Sequence, residues 1–198
     1  NFMAQTISRE EILQINTVPY HSIRDTLKTG DLVFCSGNYF FSRLIQRFTK
    51  SMWSHVGIVY YDIALERMLI LESEKLYGVR IAPLSKYIRD YHGKNKPYKG
   101  LIAVARMENE LDLEEIKKGI RFGMDELTKP YDDREVIKMA FRILFNIGRR
   151  VNDRKYICSE LVQVCYRRMG IVFNYRNKII SPDDIWRDER LLMKYRIL

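Results

Sequence analysis

The sequence predicts an α+β fold, in which a small central antiparallel sheet is flanked by helices. Short β-type runs follow one another with turn-like breaks, and stretches with helical spacing of apolar residues stand before and after them. Short breaks favour antiparallel pairing because a parallel pair needs a crossover of a dozen or more residues. The chain has neither repeats nor low-complexity linkers, so we predict one domain over residues 1–198.

The individual elements follow from local signals. A short helix begins after Ser8, which can form a capping box with Glu11. Gly170 ends the last predicted helix, as a glycine at this position commonly does. The predicted helices span 8–15, 39–50, 113–127, 134–150 and 156–169, and the predicted strands span 32–35, 56–61, 68–73, 78–83 and 101–107.

The charge balance points to anionic partners. Basic residues outnumber acidic ones by 34 to 25, which gives a formal net charge of +9. Such an excess favours anionic surfaces, and we expect an anionic membrane surface as a partner beside the substrate. Zinc-finger spacing, a P-loop and the glycine-aromatic RNA-binding pattern are all missing from the sequence, so no nucleic acid is expected.

The sequence also carries signals of compartment. No run approaches the roughly 18 apolar residues that span a bilayer, and the first residues lack a secretion signal. We therefore expect a cytoplasmic protein as the chain stands, or an exported one if an upstream signal has been removed. The three cysteines lack CxxC spacing, which argues against a disulfide framework or a cysteine metal site.

Cys158 is the candidate nucleophile. It lies at the opening turn of the predicted 156–169 helix, and this helix follows the basic pair Arg154 and Lys155. A thiol at a helix N-terminus is close to the positive end of the macrodipole, which favours the reactive thiolate form. The backbone N–H of Cys158 is a natural donor to an oxyanion, and Tyr131 and Ser54 are candidates for a second donor.

His55 and a glutamate complete a candidate triad. His55 precedes the strand 56–61, and Glu72 ends the apolar run of the next strand, so a hairpin would bring them to the same end of neighbouring strands. A carboxylate there could accept the second ring N–H of His55 and fix its tautomer. Glu74 is the alternative, because it lies on the same face of an extended strand.

The remaining cysteines and histidines receive structural interpretations. Cys165 lies two helical turns from Cys158, and Cys35 belongs to a predicted strand, so both are expected to pack in the core. His21 and His92 stand in polar, loop-like contexts and are not assigned to the site.

An ordered set of short motifs resembles a known family. The motifs are Gly30-Asp31-Leu32-Val33-Phe34, Ser54-His55-Val56-Gly57-Ile58-Val59, Leu71-Glu72, Gly78-Val79-Arg80-Ile81-Ala82-Pro83-Leu84, Lys129-Pro130-Tyr131-Asp132, Tyr156-Ile157-Cys158-Ser159-Glu160-Leu161-Val162 and Ser181-Pro182-Asp183-Asp184. Over about residues 29–184 the chain resembles the YiiX/YaeF-type permuted papain-like family. That family is a branch of the NlpC-type cysteine hydrolases, with further resemblance to certain poxviral proteins and to lecithin:retinol acyltransferase.

The resemblance implies a circularly permuted papain-like fold and explains why the histidine precedes the cysteine. It implies Cys158 as nucleophile, His55 as base and Glu72 as the orienting third member, with neither a metal nor an organic cofactor needed. The sequence departs from the family in a long segment, which we predict to be a helical insertion over residues 133–152. This segment is expected to pack on the core, to cover the site entrance or to contact a membrane.

Three functions are therefore open. The first is an amidase or peptidase that acts through an acyl-enzyme on peptide-like or N-acyl amino substrates. The second is a lipid acyl hydrolase or acyltransferase at membrane surfaces, favoured by the positive charge and the apolar 134–147 stretch. The third is a non-catalytic binding module that uses the basic surface.

Overall fold

The predicted α+β fold with an antiparallel sheet is confirmed by the computed structural model, which describes residues 2–131, 156–175 and 179–198. The strands of this part of the chain are β1 (Phe2–Met3), β2 (Leu32–Gly37), β3 (His55–Asp62), β4 (Arg67–Glu74), β5 (Gly78–Pro83), β6 (Gly100–Met107) and β7 (Leu191–Arg196). The helices are α1 (Arg9–Gln14), α2 (Tyr20–Ile23), α3 (Phe40–Thr49), α4 (Ser85–Arg89), α5 (Leu113–Asp125), α6 (Cys158–Arg168) and α7 (Pro182–Trp186).

The strands form one antiparallel sheet in the order β1-β7-β6-β2-β3-β4-β5. The five predicted strands occupy the adjacent positions β6, β2, β3, β4 and β5, within one or two residues of the expected ends. The capping box of α1 is also confirmed, since Ser8 and Glu11 exchange hydrogen bonds of 3.2 and 2.7 Å.

The sheet is larger than predicted because both chain ends contribute a strand. β7 pairs with β6, with a register shift between Val104 and Ala105, and β1 pairs with β7. The β7 stretch mixes apolar and basic residues and is preceded by charged residues, which conceals its buried positions Leu191 and Met193. Pairing with distant strands therefore decides its conformation.

Apolar side chains cover both faces of the sheet. Alternate residues along a strand point to opposite faces, so Phe34 joins one cluster and its neighbours Val33 and Cys35 join the other. The Phe34 cluster includes side chains of α6, and the Val33 cluster includes Tyr87 of α4. Helix α6 and the α4 segment thus approach the sheet from opposite sides.

Several predictions fall on residues that the structure does not describe. The predicted insertion over 133–152, including its 134–147 stretch, lies outside the described residues, and so does the basic pair Arg154 and Lys155. Within the described ranges, no helix is long and apolar enough to cross a bilayer.

Candidate active site

Cys158 is the first residue of α6, as predicted, and its side chain is buried. Two hydrogen bonds hold this turn in place: Ser73 of β4 donates to the carbonyl of Tyr156 at 2.7 Å, and Ser159 donates to the carbonyl of Ile180 at 2.8 Å. The first N–H groups of a helix lack intrahelical acceptors, so the Cys158 N–H belongs to the part of the helix that can receive an oxyanion.

The segment that carries Tyr131 runs beside the sheet edge and meets the start of α6. Gly78 has φ +69°, and a Cβ there would collide with the carbonyl of Lys129. Because glycine permits this approach, the Val79 N–H donates to the Lys129 carbonyl at 2.8 Å. Tyr131 then forms a bridge with Tyr156, two residues before Cys158.

His55 is held by hydrogen bonds at the beginning of β3. The residue before it, Ser54, donates through its backbone N–H and its hydroxyl to the carbonyl of Cys35, at 2.9 and 3.1 Å. The same hydroxyl accepts the Gly37 N–H at 3.1 Å. The Ser54 hydroxyl thus takes part in the turn that leads into β3, while Ser54 and Tyr131 both stay predictions for the second oxyanion donor.

The structure brings Cys158, His55 and Glu72 together. The Nε2 atom of His55 lies 2.6 Å from Oε2 of Glu72, and Cys158 is close enough to the ring to act on the pKa of His55. The His55 side chain is 15% exposed and the Glu72 side chain is fully buried. This arrangement is the one that a nucleophile, a base and an orienting carboxylate require.

Glu74 is directed elsewhere. Its carboxylate accepts the Leu76 N–H at 2.9 Å and lies 3.5 Å from Nε2 of His92. His92 has φ +57° and stacks on Tyr91, with ring centroids 3.9 Å apart. The geometry therefore favours Glu72 over Glu74 as the partner of His55, while their roles in catalysis stay predictions.

The electrostatics of His55 and Glu72 favour their charged forms. Burial alone would lower the pKa of His55, but hydrogen bonds and charges from Cys158 and Glu72 outweigh it and raise this pKa to about 10. Burial alone would raise the pKa of Glu72, yet His55, Arg80 and Tyr87 lower it to about 2. At neutral pH the site therefore holds an imidazolium beside a carboxylate.

The other two cysteines are fully buried in the core. Burial, with the charge of Glu126, raises the pKa of the Cys165 thiol to about 12. Burial also raises the pKa of Cys35, whose strand position is directly opposite His55. Both side chains pack in apolar clusters, which agrees with the structural interpretation of these two residues.

Sequence reasoning did not assign Arg80 and Tyr87, both of which contact Glu72. Arg80 contacts Oε1 of Glu72 through Nε at 2.9 Å and a terminal nitrogen at 2.8 Å, and the Tyr87 hydroxyl donates to Oε2 at 2.5 Å. The position of Arg80 could have been found, because β4 and β5 form a hairpin that pairs Glu72 with Arg80. No sequence pattern indicates the contact between Tyr87 and Glu72, since Tyr87 lies in a short helix beyond the sheet.

Residues 26–189 match a family model. The family is described as permuted papain-like amidase enzyme, YaeF/YiiX, C92 family. The chain belongs to this permuted papain-like amidase family. The resemblance recognised from the motifs is thereby confirmed, and family membership supports a papain-like hydrolase in general terms.

Two curated relatives support the assignment. The uncharacterized protein YiiX of Escherichia coli K12 is 30% identical over 163 residues, which cover 79% of this chain and 66% of YiiX. The chain thus spans slightly less than two thirds of that relative. Protein OPG091 of monkeypox virus is 28% identical over 153 residues, which cover 77% of this chain and 73% of the viral protein.

A solved structure shares the fold. The crystal structure of YiiX from Escherichia coli O157:H7, described as a metalloprotein, superposes with a TM-score of 0.63 at 22% identity, and the match covers 84% of this chain and 96% of that one. The described residues of the present chain do not fit a metal site: among them, no group of three or more His, Cys, Asp or Glu side chains could hold a metal ion.

Proposed function

We propose that the chain is a cysteine amidase that cleaves peptide-like or N-acyl amino substrates through an acyl-enzyme. The observation that carries this proposal is the placement of His55 between Cys158, at the first turn of α6, and Glu72, whose carboxylate lies 2.6 Å from the His55 ring. Family membership supports it, because the family is described as papain-like amidases.

The chemistry runs through two half-reactions. The Cys158 thiolate attacks the amide carbonyl carbon to form a tetrahedral oxyanion, which the Cys158 N–H stabilises. As the C–N bond breaks, the His55 imidazolium gives its proton to the leaving amine, and a thioester remains. Neutral His55 then takes a proton from water, the resulting hydroxide attacks the thioester, and the carboxylic acid leaves as the C–S bond breaks.

Glu72 supports both half-reactions without exchanging a proton. It accepts the second ring N–H of His55, which fixes the tautomer and directs the other ring nitrogen to Cys158. Because its pKa is held near 2, Glu72 stays a carboxylate while His55 gains and loses its proton.

The surroundings of Cys158 support a substrate with an apolar acyl half. Ile157, directly before the nucleophile, forms a small buried cluster with Ile179, and Phe41, Ile45 and Tyr131 pack against it. The ammonium group of the exposed Lys75 lies 3.9 Å from the centre of the Phe41 ring. A cation at the edge of an apolar surface suits the free carboxylate of an N-acyl amino acid.

The test is turnover and acyl-enzyme capture on a panel of short peptides and N-acyl amino acids. We expect acid-quenched wild-type protein to carry the acyl mass on the Cys158 peptide, and Cys158→Ala to lose both the adduct and turnover. Cys165→Ala is the matched control, since Cys165 lies in the same helix and its side chain is buried in the core. Full turnover by Cys158→Ala on an accepted substrate would refute the proposal.

A second candidate function, a lipid acyl hydrolase or acyltransferase, is favoured by the exposed side of α3. Phe40 is 86% exposed, and Arg43 and Arg47 are exposed on the same side of the helix. The two arginines line a cleft of about 530 Å³ together with further basic side chains: Arg9, Lys50 and Arg187. An aromatic side chain beside cations is typical of surfaces that bind anionic membranes.

Vesicle binding separates the two candidates. If the lipid function is correct, the protein sediments with vesicles that contain phosphatidylserine, Arg43→Glu weakens this binding, and micelles raise acyl hydrolysis. The control Arg167→Glu makes the same charge change at an exposed position of α6 and is expected to retain binding. Equal amide turnover with and without micelles, and no vesicle binding, would favour the amidase.

A further inference from the structure

All the acceptor positions of the Glu72 carboxylate are occupied. Oε2 accepts from His55 at 2.6 Å and from the Tyr87 hydroxyl at 2.5 Å. Oε1 accepts from two nitrogens of Arg80, at 2.9 and 2.8 Å. A carboxylate offers about four lone-pair positions, so these four contacts leave the group one orientation.

Arg80 is fixed in place by the sheet and by an aromatic ring. It pairs directly with Glu72 across β4 and β5, and its guanidinium carbon lies 4.5 Å from the centre of the Tyr77 ring. Its side chain is 21% exposed, whereas that of Glu72 is fully buried. Partial burial weakens solvent screening of this pair, so the charge of Arg80 acts strongly on Glu72.

Tyr87 is a permanently protonated donor to Glu72. Burial, together with the charge of Glu72, raises its pKa well above the ordinary value, so the phenol keeps its proton. The ring lies between Tyr91 and Tyr98, with centroid distances of 5.0 and 5.6 Å, and is almost fully buried. The short α4 helix therefore presents a rigid O–H to the same oxygen that His55 uses.

We propose that Arg80 and Tyr87 are positioning residues, which aim the Glu72 carboxylate at His55 and limit how firmly Glu72 holds the His55 proton. This inference rests on the proposed catalytic role of His55 and adds two residues that act through Glu72. Arg80 partly neutralises the carboxylate, and its own positive charge opposes a second positive charge on His55. Tyr87 withdraws electron density from the shared Oε2 atom by hydrogen bonding.

The effect matters because His55 must both give and take a proton. A base that faced an isolated, fully buried carboxylate would keep its proton too firmly to activate water in the second half-reaction. The charged and titratable groups around the pair come from every neighbouring element: Cys35 on β2, Cys158 on α6, Glu74 on β4, Arg80 on β5, Tyr87 on α4, and Tyr91 and His92 in the turn after α4. Of these, only Arg80 brings a permanent positive charge into contact with Glu72.

The test is the titration of His55 by NMR of the imidazole nitrogens. The chain has three histidines, so His21→Gln and His92→Gln variants assign the His55 signals. We expect Arg80→Gln to move the His55 midpoint upward by about 1 unit, because it removes the opposing charge. Arg80→Lys keeps the charge and is expected to stay near the wild-type midpoint, with kcat reduced because the two-nitrogen contact is lost.

Tyr87→Phe provides an independent variant that keeps the ring packing. It is expected to raise the His55 midpoint by less than Arg80→Gln does, with kcat lowered and KM little changed. An unchanged or lowered midpoint in Tyr87→Phe and in a folded Arg80→Gln protein would overturn the inference. If Cys158→Ala leaves the His55 midpoint unchanged, Cys158 does not act on His55. That result would refute the proposed function and not the roles of Arg80 and Tyr87.

Discussion

His55 and Glu72 are hydrogen-bonded at 2.6 Å although the strand register does not place them opposite each other. The register of β3 with β4 pairs Ile58 with Leu71, so Glu72 lies beside Gly57. Since Gly57 has no side chain, Ile70 and Glu72 occupy the space beside it. The imidazole of His55 can therefore reach diagonally across the strands to Glu72.

Gly57→Ala should damage both stability and activity. The new Cβ would lie 2.7 Å from side-chain atoms of Ile70 and 3.2 Å from the Cβ of Glu72. Overpacking of this kind costs about 1–3 kcal/mol, and the displacement of Glu72 should lower turnover further. Urea unfolding and amide turnover measure the two effects.

Ile70→Ala tests whether the contact with Ile70 causes the destabilisation by Gly57→Ala. It removes the atoms that the new methyl group meets, so the two substitutions should be less than additive in the free energy of unfolding. Strict additivity would show that the contact with Ile70 is not the source of the damage.

Glu72→Gln should lower kcat by roughly 10²- to 10⁴-fold, because the neutral amide no longer stabilises the His55 imidazolium. Glu74→Gln is the matched control: it makes the same change two residues along β4, at a carboxylate that lies 3.5 Å from His92. Steady-state kinetics of both variants decide between the two glutamates. A larger loss in Glu74→Gln would contradict the assignment made from the geometry.

Ser73→Ala should disturb the nucleophile turn as well as stability. The Ser73 hydroxyl donates to the Tyr156 carbonyl at 2.7 Å, and loss of such a bond costs about 1 kcal/mol. Ser8→Ala removes a cap of comparable energy from α1 and serves as the control. Both variants should have a lower free energy of unfolding than the wild type, whereas only Ser73→Ala should slow alkylation of Cys158. Equal alkylation rates in both variants would count against a role for Ser73 at the site.

The stability contributed by Glu72 should disappear in acid. Its pKa is lowered from the ordinary value of 4.5 to about 2, so the folded state favours the carboxylate. The contribution is therefore present above about pH 4.5 and is lost as the pH falls through about 2. Urea unfolding at stepped pH should show the gap between wild type and Glu72→Gln narrowing over this window. A gap that is constant from pH 5 to pH 2 contradicts the expected coupling.

The contribution of His55 should disappear in base. Its pKa is raised from the ordinary value of 6.5 to about 10, so the folded state favours the imidazolium. The contribution is complete below pH 6.5 and is lost as the pH rises through about 10. The difference in unfolding free energy between wild type and His55→Gln should shrink across this range. A difference that grows with pH would mean that the neutral ring is the form preferred by the fold.

Local patterns were enough to predict the central strands and the position of Cys158 at the start of a helix. The helix that begins at Cys158 and the strand that begins at His55 are encoded by short apolar runs with clear end signals. The hairpin of β3 and β4 then brings the end of β4, which carries both Glu72 and Glu74, near His55. These features depend on residues close together in sequence.

Features that depend on distant contacts could not be predicted. The strand β7 gains its conformation from pairing with β6, more than 80 positions earlier in the chain. Tyr87 reaches Glu72 only because α4 folds back beside the sheet. The spacing of residues along the chain does not predict this placement of α4. The choice between Glu72 and Glu74 likewise needed the contacts of His92, which has a left-handed backbone conformation.

The most direct test of the account is the pH dependence of Cys158 alkylation, in protein whose Cys35 and Cys165 are replaced by alanine. We predict that Cys158 reacts much faster near neutral pH than a free thiol, which ionises near pH 8.5, and that His55→Ala loses this advantage. A rate profile like that of a free thiol, indifferent to His55, would contradict the claim that Cys158, His55 and Glu72 act as one catalytic unit.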